Sequence, residues 1–366
     1  MTIPAQARVA VYECPNAPFE LREYPLRPPE AGEVLVRIRM ATICRSDIHS
    51  YLGHRPNPCP GVLGHEIIGV IVALGSGVER DLRGDPLAVG DRITWSEYFV
   101  PKHGYFTDVL DLPQKSPGVD KYGHMAATTP PHHHGGFGEY CYVLPQSWIL
   151  RLPDVLTDEE ATPINCGVAT MISVTAAAAI GLGATVVVQG LGLLGLYGAA
   201  IARVRGARTV VGIDAVAGRR DRAPEFGVDI VLDPAALSRD DLIRRVRGAC
   251  APHGPDVVLE VCGDPEAIPV GIEFLRVGGT YVLAGVVNPD SRVTFDANLV
   301  LRKLLTLRGV HNYHPRDLVA ALDFVVANRR RFPFHELVDG RYPLEHVDRA
   351  IADAAARRVL RAAIVP

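Results

Sequence analysis

Gln189-Gly190-Leu191-Gly192-Leu193-Leu194-Gly195 is the stretch on which the reading of this chain turns. Ahead of it, residues 185–189 form a short apolar, β-branched run of the kind that makes a buried strand. Behind it, residues 193–204 are apolar over a length that suits a helix. Glycine at three fixed places between a strand and a helix has a physical meaning. Gly190 permits a tight turn, Gly192 lets a phosphate approach the backbone, and Gly195 lets helix pack on strand. The helix beginning at Leu193 and Leu194 offers unpaired N–H groups and a positive dipole end to an anion. The next expected strand ends at Asp214, 24 residues after Gly190. A carboxylate there accepts both hydroxyls of an adenosine ribose and repels a 2′-phosphate. The loop predicts a dinucleotide site that favours NAD over NADP, a preference weakened by Arg219 and Arg220 just beyond.

Outward from the loop, strands are expected at 209–214, 230–232, 257–260, 280–284 and 306–309, with helices such as 240–250 and 267–274 between them. That alternation predicts a doubly wound parallel sheet. Residues 1–150 have a different texture. Short β-like runs at 8–13, 33–41, 69–74, 91–95 and 140–144 are separated by turn residues, which reads as a mostly antiparallel, barrel-like domain. A segment after residue 315 is read as a helix and mixed pieces returning to the first domain.

Composition narrows the function classes. The 366 residues are 48% hydrophobic with a net charge of −3, which excludes a disordered chain and leaves no electrostatic footprint for nucleic acid or an anionic membrane. Seven cysteines, an odd number, argue against a disulfide-stapled scaffold. Residues 168–202 carry no charge, long enough for a membrane span, but six glycines and a helix–strand–helix pattern point instead to the centre of a buried sheet. No apolar run precedes the first charge, so no leader peptide is read and the cytoplasm is the expected compartment.

A second constellation carries chemistry. Cys44-Arg45-Ser46-Asp47-Ile48-His49, Gly64-His65-Glu66 and Asn165-Cys166-Gly167 contain two thiols and an imidazole; His65 follows Cys44 by 21 residues and precedes Cys166 by 101. Two thiolates and one imidazole leave one open position on a tetrahedral zinc, the pattern of a catalytic site. Taken singly, each has a bland alternative, a buried free cysteine or a satisfied core histidine. Spacing alone does not select these three.

Together these motifs resemble the zinc-dependent alcohol dehydrogenases of the medium-chain dehydrogenase/reductase family, over nearly the whole chain. The resemblance implies an α/β architecture: a GroES-like, mostly β catalytic domain at 1–167 and 310–366, and a Rossmann nucleotide domain at 168–309. It implies a catalytic zinc on Cys44, His65 and Cys166, with Glu66 as an adjacent or exchangeable ligand and Asp47 orienting the imidazole. It implies that Ser46 takes the substrate proton and His49 passes it to solvent. Arg45, Arg219 and Arg361 match cofactor contacts, while Thr170, Val261 and the turn Ala284, Gly285, Val286 match residues around a nicotinamide ring. The expected reaction is hydride transfer between a small alcohol and its aldehyde or ketone, with NAD(H) and one zinc as cofactors. A homo-oligomer, dimer or tetramer, is implied, with no nucleic-acid or membrane partner.

The chain departs from the family at one place. The four positions that hold a structural zinc in many members are Lys102, Tyr105, Asp108 and Ser116 here, and none of the 81 residues between Cys59 and Cys141 is cysteine. The structural zinc is therefore expected to be absent. The nearby histidines, His103, His124 and His132–His134, are read as a solvated loop. Finer likenesses at 80–87, 121–124 and 135–142 resemble the subgroup associated with phosphonate metabolism and suggest an anionic alcohol. Two rivals remain: a zinc-free reductase of activated double bonds, and a catalytically silent nucleotide-binding homologue.

Overall fold

Every residue of the strand Thr185–Gln189 is buried, as a strand covered on both faces requires. The computed structural model describes residues 3–100, 103–289 and 291–366. In it, Thr185–Gln189 lies at the centre of a six-stranded, all-parallel sheet. The spatial order is Ile230–Leu232, Thr209–Ile213, Thr185–Gln189, Val257–Glu260, Thr280–Leu283 and Thr306–Gly309. The chain fills one half of the sheet, then returns beside the central strand and fills the other. Such a reversal opens a crevice past the carboxyl ends of the two central strands, here Gln189 and Glu260. The uncharged stretch resolves into the helix Gly167–Ala177, the central strand and the helix Leu193–Val204. No helix among the described residues is long and apolar enough to cross a membrane.

Residues 167–313 and 330–333 make up this nucleotide-type unit; residues 1–166, 314–329 and 334–366 make up the other. The sequence placed the divisions at 167/168 and 309/310, and the contacts put them at 166/167 and 313/314. The short piece 330–333 belongs to the parallel-sheet unit because Phe332 stacks on Phe226, with centroids 6.5 Å apart.

The second unit is built on a seven-stranded sheet. Ile149–Arg151, Arg92–Trp95, Glu66–Leu74, Val34–Thr42, Ala362–Val365 and Gly340–Pro343 follow in order, and Tyr140–Val143 also pairs with Val34–Thr42. All pairings are antiparallel except that of the last two strands. A four-stranded antiparallel sheet joins Phe19–Pro25, Gln6–Tyr12, Gly61–Val62 and Met125–Ala126. Trp95, Tyr122, Phe137, Ile67 and Ile71 are among the fully buried residues of the core. Pairing of Ala363 with Thr42 brings Arg361 beside the chain that leads into Cys44.

The histidine-rich segment differs from its expectation as a solvated loop. His133 and His134 have no exposed surface, and His103 alone of the five is exposed. Tyr142 N donates to His133 O at 2.8 Å, and Met125–Ala126 pairs with Gly61–Val62, so backbone pairing draws the run inside. Neutral imidazole tolerates this because one ring nitrogen can meet a backbone carbonyl. His134 Nε2 lies 3.1 Å from Ala126 O, His133 Nε2 lies 3.3 Å from Tyr24 O, and His132 stacks on Tyr24. Burial pushes both His133 and His134 down to about 4.

Of the positions aligned with a structural zinc, Lys102 lies outside the described residues. Asp108 accepts from Gly104 N at 3.0 Å, and Ser116 Oγ lies 3.0 Å from Thr107 Oγ1. Asp111 then ties the lobe to His314 and Arg316 at 2.9 and 2.6 Å.

Candidate active site

The helix Arg45–Tyr51 begins at Cys44, and its first turn orders the metal-side chemistry. Asp47 Oδ2 accepts the Cys44 backbone N–H at 2.8 Å, while Oδ1 accepts Gly64 N–H at 3.2 Å. The same Oδ1 lies 3.2 Å from His65 Nδ1. One buried carboxylate thus fixes the cysteine, the turn before the histidine and the imidazole orientation. With Nδ1 facing Asp47, Nε2 faces Cys166 Sγ, 3.6 Å away. The Asn165 amide donates to His65 O and Trp95 O at 3.0 and 2.8 Å, holding the turn before Cys166 against the end of the Arg92–Trp95 strand and the residue that precedes Glu66–Leu74.

Cys44, His65, Glu66 and Cys166 offer donor atoms that all lie within 4.8 Å of one another. His65 and Glu66 are buried, the two cysteines partly so. Glu66 Oε1 is buried and accepts no hydrogen bond, a costly state unless a cation faces it. The other oxygen, Oε2, accepts from Thr42 Oγ1 and lies 3.5 Å from Arg361. Arg361 also donates to Ile43 O at 2.7 Å. A hydrogen bond with Cys166, then His65 and Arg361, draw the Cys44 thiol well below its usual range. Burial opposes protonation of His65, but Asp47 and Cys44 raise it well above the ordinary value. Burial lifts Glu66 to about 7 against the pull of Arg361. Two sulfurs, one imidazole nitrogen and a carboxylate oxygen within 4.8 Å of one another are a donor set that fits zinc.

Ser46 and His49 lie three residues apart on the Arg45–Tyr51 helix, a spacing that puts both on one side. His49 Nδ1 is 3.4 Å from His54 Nδ1. Burial and then the Arg45 charge lower His49 below its ordinary value, leaving a neutral base at pH 7. Arg45 itself is exposed.

The glycine loop lies in the parallel-sheet unit. Gly190 has φ +98°, and a Cβ there would meet the Cys262 backbone at 2.8 Å. At Gly195 a Cβ would lie 1.8 Å from Gly190 O. No side chain caps the Leu193–Val204 helix, whose N-cap is Gly192. Asp214 Oδ2 accepts Leu191 N–H at 2.7 Å and lies 3.5 Å from Arg219; Oδ1 accepts Val216 N–H at 2.8 Å. Thr170 is half-buried on the Gly167–Ala177 helix.

Sequence reasoning missed two acids. Glu260, fully buried, accepts Gly263 N–H at 2.7 Å with Oε1 and Gly285 N–H at 3.0 Å with Oε2. It thereby ties the segment containing Val261 to the turn Ala284, Gly285, Val286. Its signal was legible: an acid ending the otherwise apolar Val257–Glu260 strand. Glu97 lies 3.7 Å from His65 Nε2, and nothing local to its stretch of sequence marks it.

Residues 194–327 match the family model described as zinc-binding dehydrogenase, and residues 30–154 that of the alcohol dehydrogenase GroES-like domain. The chain is 30% identical over 308 residues to L-threonine 3-dehydrogenase of Pyrococcus furiosus, spanning 82% of this chain and 81% of that protein. It is 27% identical over 347 residues to 5-exo-hydroxycamphor dehydrogenase of Pseudomonas putida, spanning 94% of each. Among solved structures, an alcohol dehydrogenase of Thermotoga maritima superposes with a TM-score of 0.94 at 29% identity over 99% of both chains. A protein assigned as a zinc-binding dehydrogenase of Sinorhizobium meliloti, solved with NADP, gives 0.87 at 25% identity over 99% of this chain and 100% of that one.

Proposed function

The chain belongs to the alcohol dehydrogenases of the medium-chain dehydrogenase/reductase family, and on that premise we propose that it interconverts a small polar alcohol and its aldehyde or ketone with NAD(H). The observation that carries this reading is the convergence of Cys44, His65, Glu66 and Cys166, each offering a donor atom within 4.8 Å of the others. When bound, zinc polarises the substrate oxygen as a Lewis acid and NAD accepts the hydride.

The chain's own residues prepare for both. Asp47 holds the His65 ring so that Nε2 faces the thiols, and Cys166, His65 and Arg361 draw the Cys44 thiol well below its usual range, toward the thiolate that a metal takes. Ser46 takes the proton leaving the alcohol, and His49, neutral at pH 7, receives it on the way to solvent. In the parallel-sheet unit, the Gly190–Gly195 loop and the amides of Leu193 and Leu194 receive the pyrophosphate. Asp214 receives the adenosine ribose and so favours NAD, with Arg219 close by. Glu260 holds the Val261 and Ala284–Val286 loops in which the nicotinamide would lie; Thr170, Arg45 and Arg361 complete the assignment.

The finer substrate class we assign is anionic, phosphonate or carboxylate. His124, whose ring lies 5.7 Å from that of His65, is pushed down to about 3 by burial, then by His65, Arg55 and Lys121. Arg55, whose field reaches this histidine, complements a negative substrate group. A homo-oligomer, dimer or tetramer, belongs to the same proposal.

The test is NAD-linked turnover over short polar alcohols with and without a phosphonate, alongside zinc analysis. Cys44→Ala and chelated protein are expected to lose turnover while still binding NAD. Turnover surviving in zinc-free protein would favour the zinc-free reductase; NAD binding with zinc present and no turnover on any alcohol would favour a silent homologue.

A further inference from the structure

A second carboxylate reaches the metal side of His65. Glu97 Oε2 lies 3.7 Å from His65 Nε2, the nitrogen that faces the cysteines because Nδ1 faces Asp47. Two donors on one tetrahedral zinc stand about 3.4 Å apart for nitrogen and oxygen and about 3.6 Å for nitrogen and sulfur, from metal–ligand bonds of roughly 2.0–2.3 Å. Cys166 Sγ, an expected ligand, lies 3.6 Å from the same nitrogen. Glu97 therefore stands about as far from this nitrogen as Cys166 does, just outside the four residues whose donors all lie within 4.8 Å of one another.

The backbone fixes this carboxylate in place. Glu97 lies between the strands Arg92–Trp95 and Tyr98–Phe99, and Tyr122 N–H donates to Glu97 O at 3.0 Å. On its other side, Trp148 N–H donates to Ser96 Oγ at 3.1 Å, and Ser96 Oγ donates to Tyr98 O at 2.5 Å. The residue is 4% exposed, so its charge needs a cation within reach. Lys121 Nζ is 3.9 Å from its other oxygen, Oε1. Glu66 differs: Arg361 and Thr42 both hold one of its oxygens.

We propose that Glu97 is a further protein ligand of the metal in the substrate-free enzyme, and that it is displaced toward Lys121 when the substrate oxygen takes its position. No bond to carbon forms or breaks and no proton moves; one oxygen donor replaces another. This rests on the metal reading above and extends it to a residue outside the expected ligand set.

Cobalt-substituted, substrate-free protein reports the ligand set through its visible absorption. Glu97→Gln is expected to shift the d–d bands and to speed zinc release to a chelator by about tenfold to a hundredfold, the usual effect of disturbing a metal's support. Trifluoroethanol should move the unaltered protein's spectrum toward that of the variant. Glu97→Asp, which keeps the charge but shortens the arm, should shift the bands as well. Bands and release rates unchanged in both variants would overturn the proposal and leave Glu97 as an ion-pair partner of His65. A crystal structure of the zinc-loaded, substrate-free chain decides without any variant: a Glu97 oxygen about 2.0–2.2 Å from zinc is expected, and water in that place overturns it. Cys44→Ser separates the two readings. If the thiolate-to-cobalt band keeps its full intensity, the metal reading itself fails; if it weakens to what the Cys166 sulfur alone gives while Glu97→Gln changes nothing, only the Glu97 proposal falls.

Discussion

Replacing Gly192 by alanine separates folding from nucleotide binding in a way the structure makes quantitative. Gly192 has φ −68° and ψ −171°, a conformation open to any L-residue. The nearest atoms to an added Cβ are the end of the Arg219 side chain, 3.8 Å away. The fold has no objection to this methyl group, and reduced freedom of the unfolded chain should stabilise the variant by ~0.4–1 kcal/mol. The methyl group does occupy the path by which a pyrophosphate would reach the backbone. Loss of one hydrogen bond to a charged oxygen costs ~1.5–3 kcal/mol, roughly tenfold to a hundredfold in affinity. Gly195→Ala behaves oppositely, because its Cβ would lie 1.8 Å from Gly190 O and the backbone must move. Overpacking of that kind costs ~1–3 kcal/mol, and each kcal/mol lowers Tm by about 2–4 °C in a domain of this size. Thermal melts and NAD titration by calorimetry measure both quantities. If Gly192→Ala binds NAD within twofold of the parent, the pyrophosphate does not cross Gly192 and the reading of the loop is wrong.

Three other outcomes follow from the same geometry. Asp214→Ala removes the group assigned to the ribose and should narrow the NAD-over-NADP ratio of kcat/KM; an unchanged ratio removes that assignment. The fall of His133 and His134 from 6.5 to about 4 means that the folded state favours the neutral rings. Their stabilisation is present above pH 6.5 and is lost as pH falls toward 4, because the unfolded chain takes up protons first; it amounts to about 3 kcal/mol each at ~1.4 kcal/mol per pH unit. Urea titrations from pH 7 to 4 should show this slope, and it should be shallower in His134→Gln. Asp47→Asn weakens the hold on the imidazole and should lower zinc affinity by about tenfold to a hundredfold, as measured by chelator competition, with NAD binding unaltered.

What could be read from the sequence divides along the range of the forces involved. The glycine loop and its strand and helix were legible because the constraint is local: Gly190 and Gly195 face obstacles within the same turn and the adjacent strand end. The metal residues were legible only through resemblance, because their 101-residue gap carries no signal of convergence. Glu97 escaped notice and Asn165 was given no role for the same reason; their partners lie far away in the sequence. The histidine run was misread because polarity suggested solvent, whereas strand pairing on either side had already decided its burial.

Arg361 gives the order of synthesis a bearing on how the metal side is completed. It lies 318 residues after Ile43, to whose carbonyl it donates, and it stands 3.5 Å from Glu66. On the ribosome, Cys44, His65 and Glu66 emerge early, and the whole of residues 167–313 follows before Arg361 appears. Domains generally fold as units during translation, so the parallel-sheet unit can be built while the other still lacks its last strand. Until then the Glu66 carboxylate has no counter-charge from Arg361.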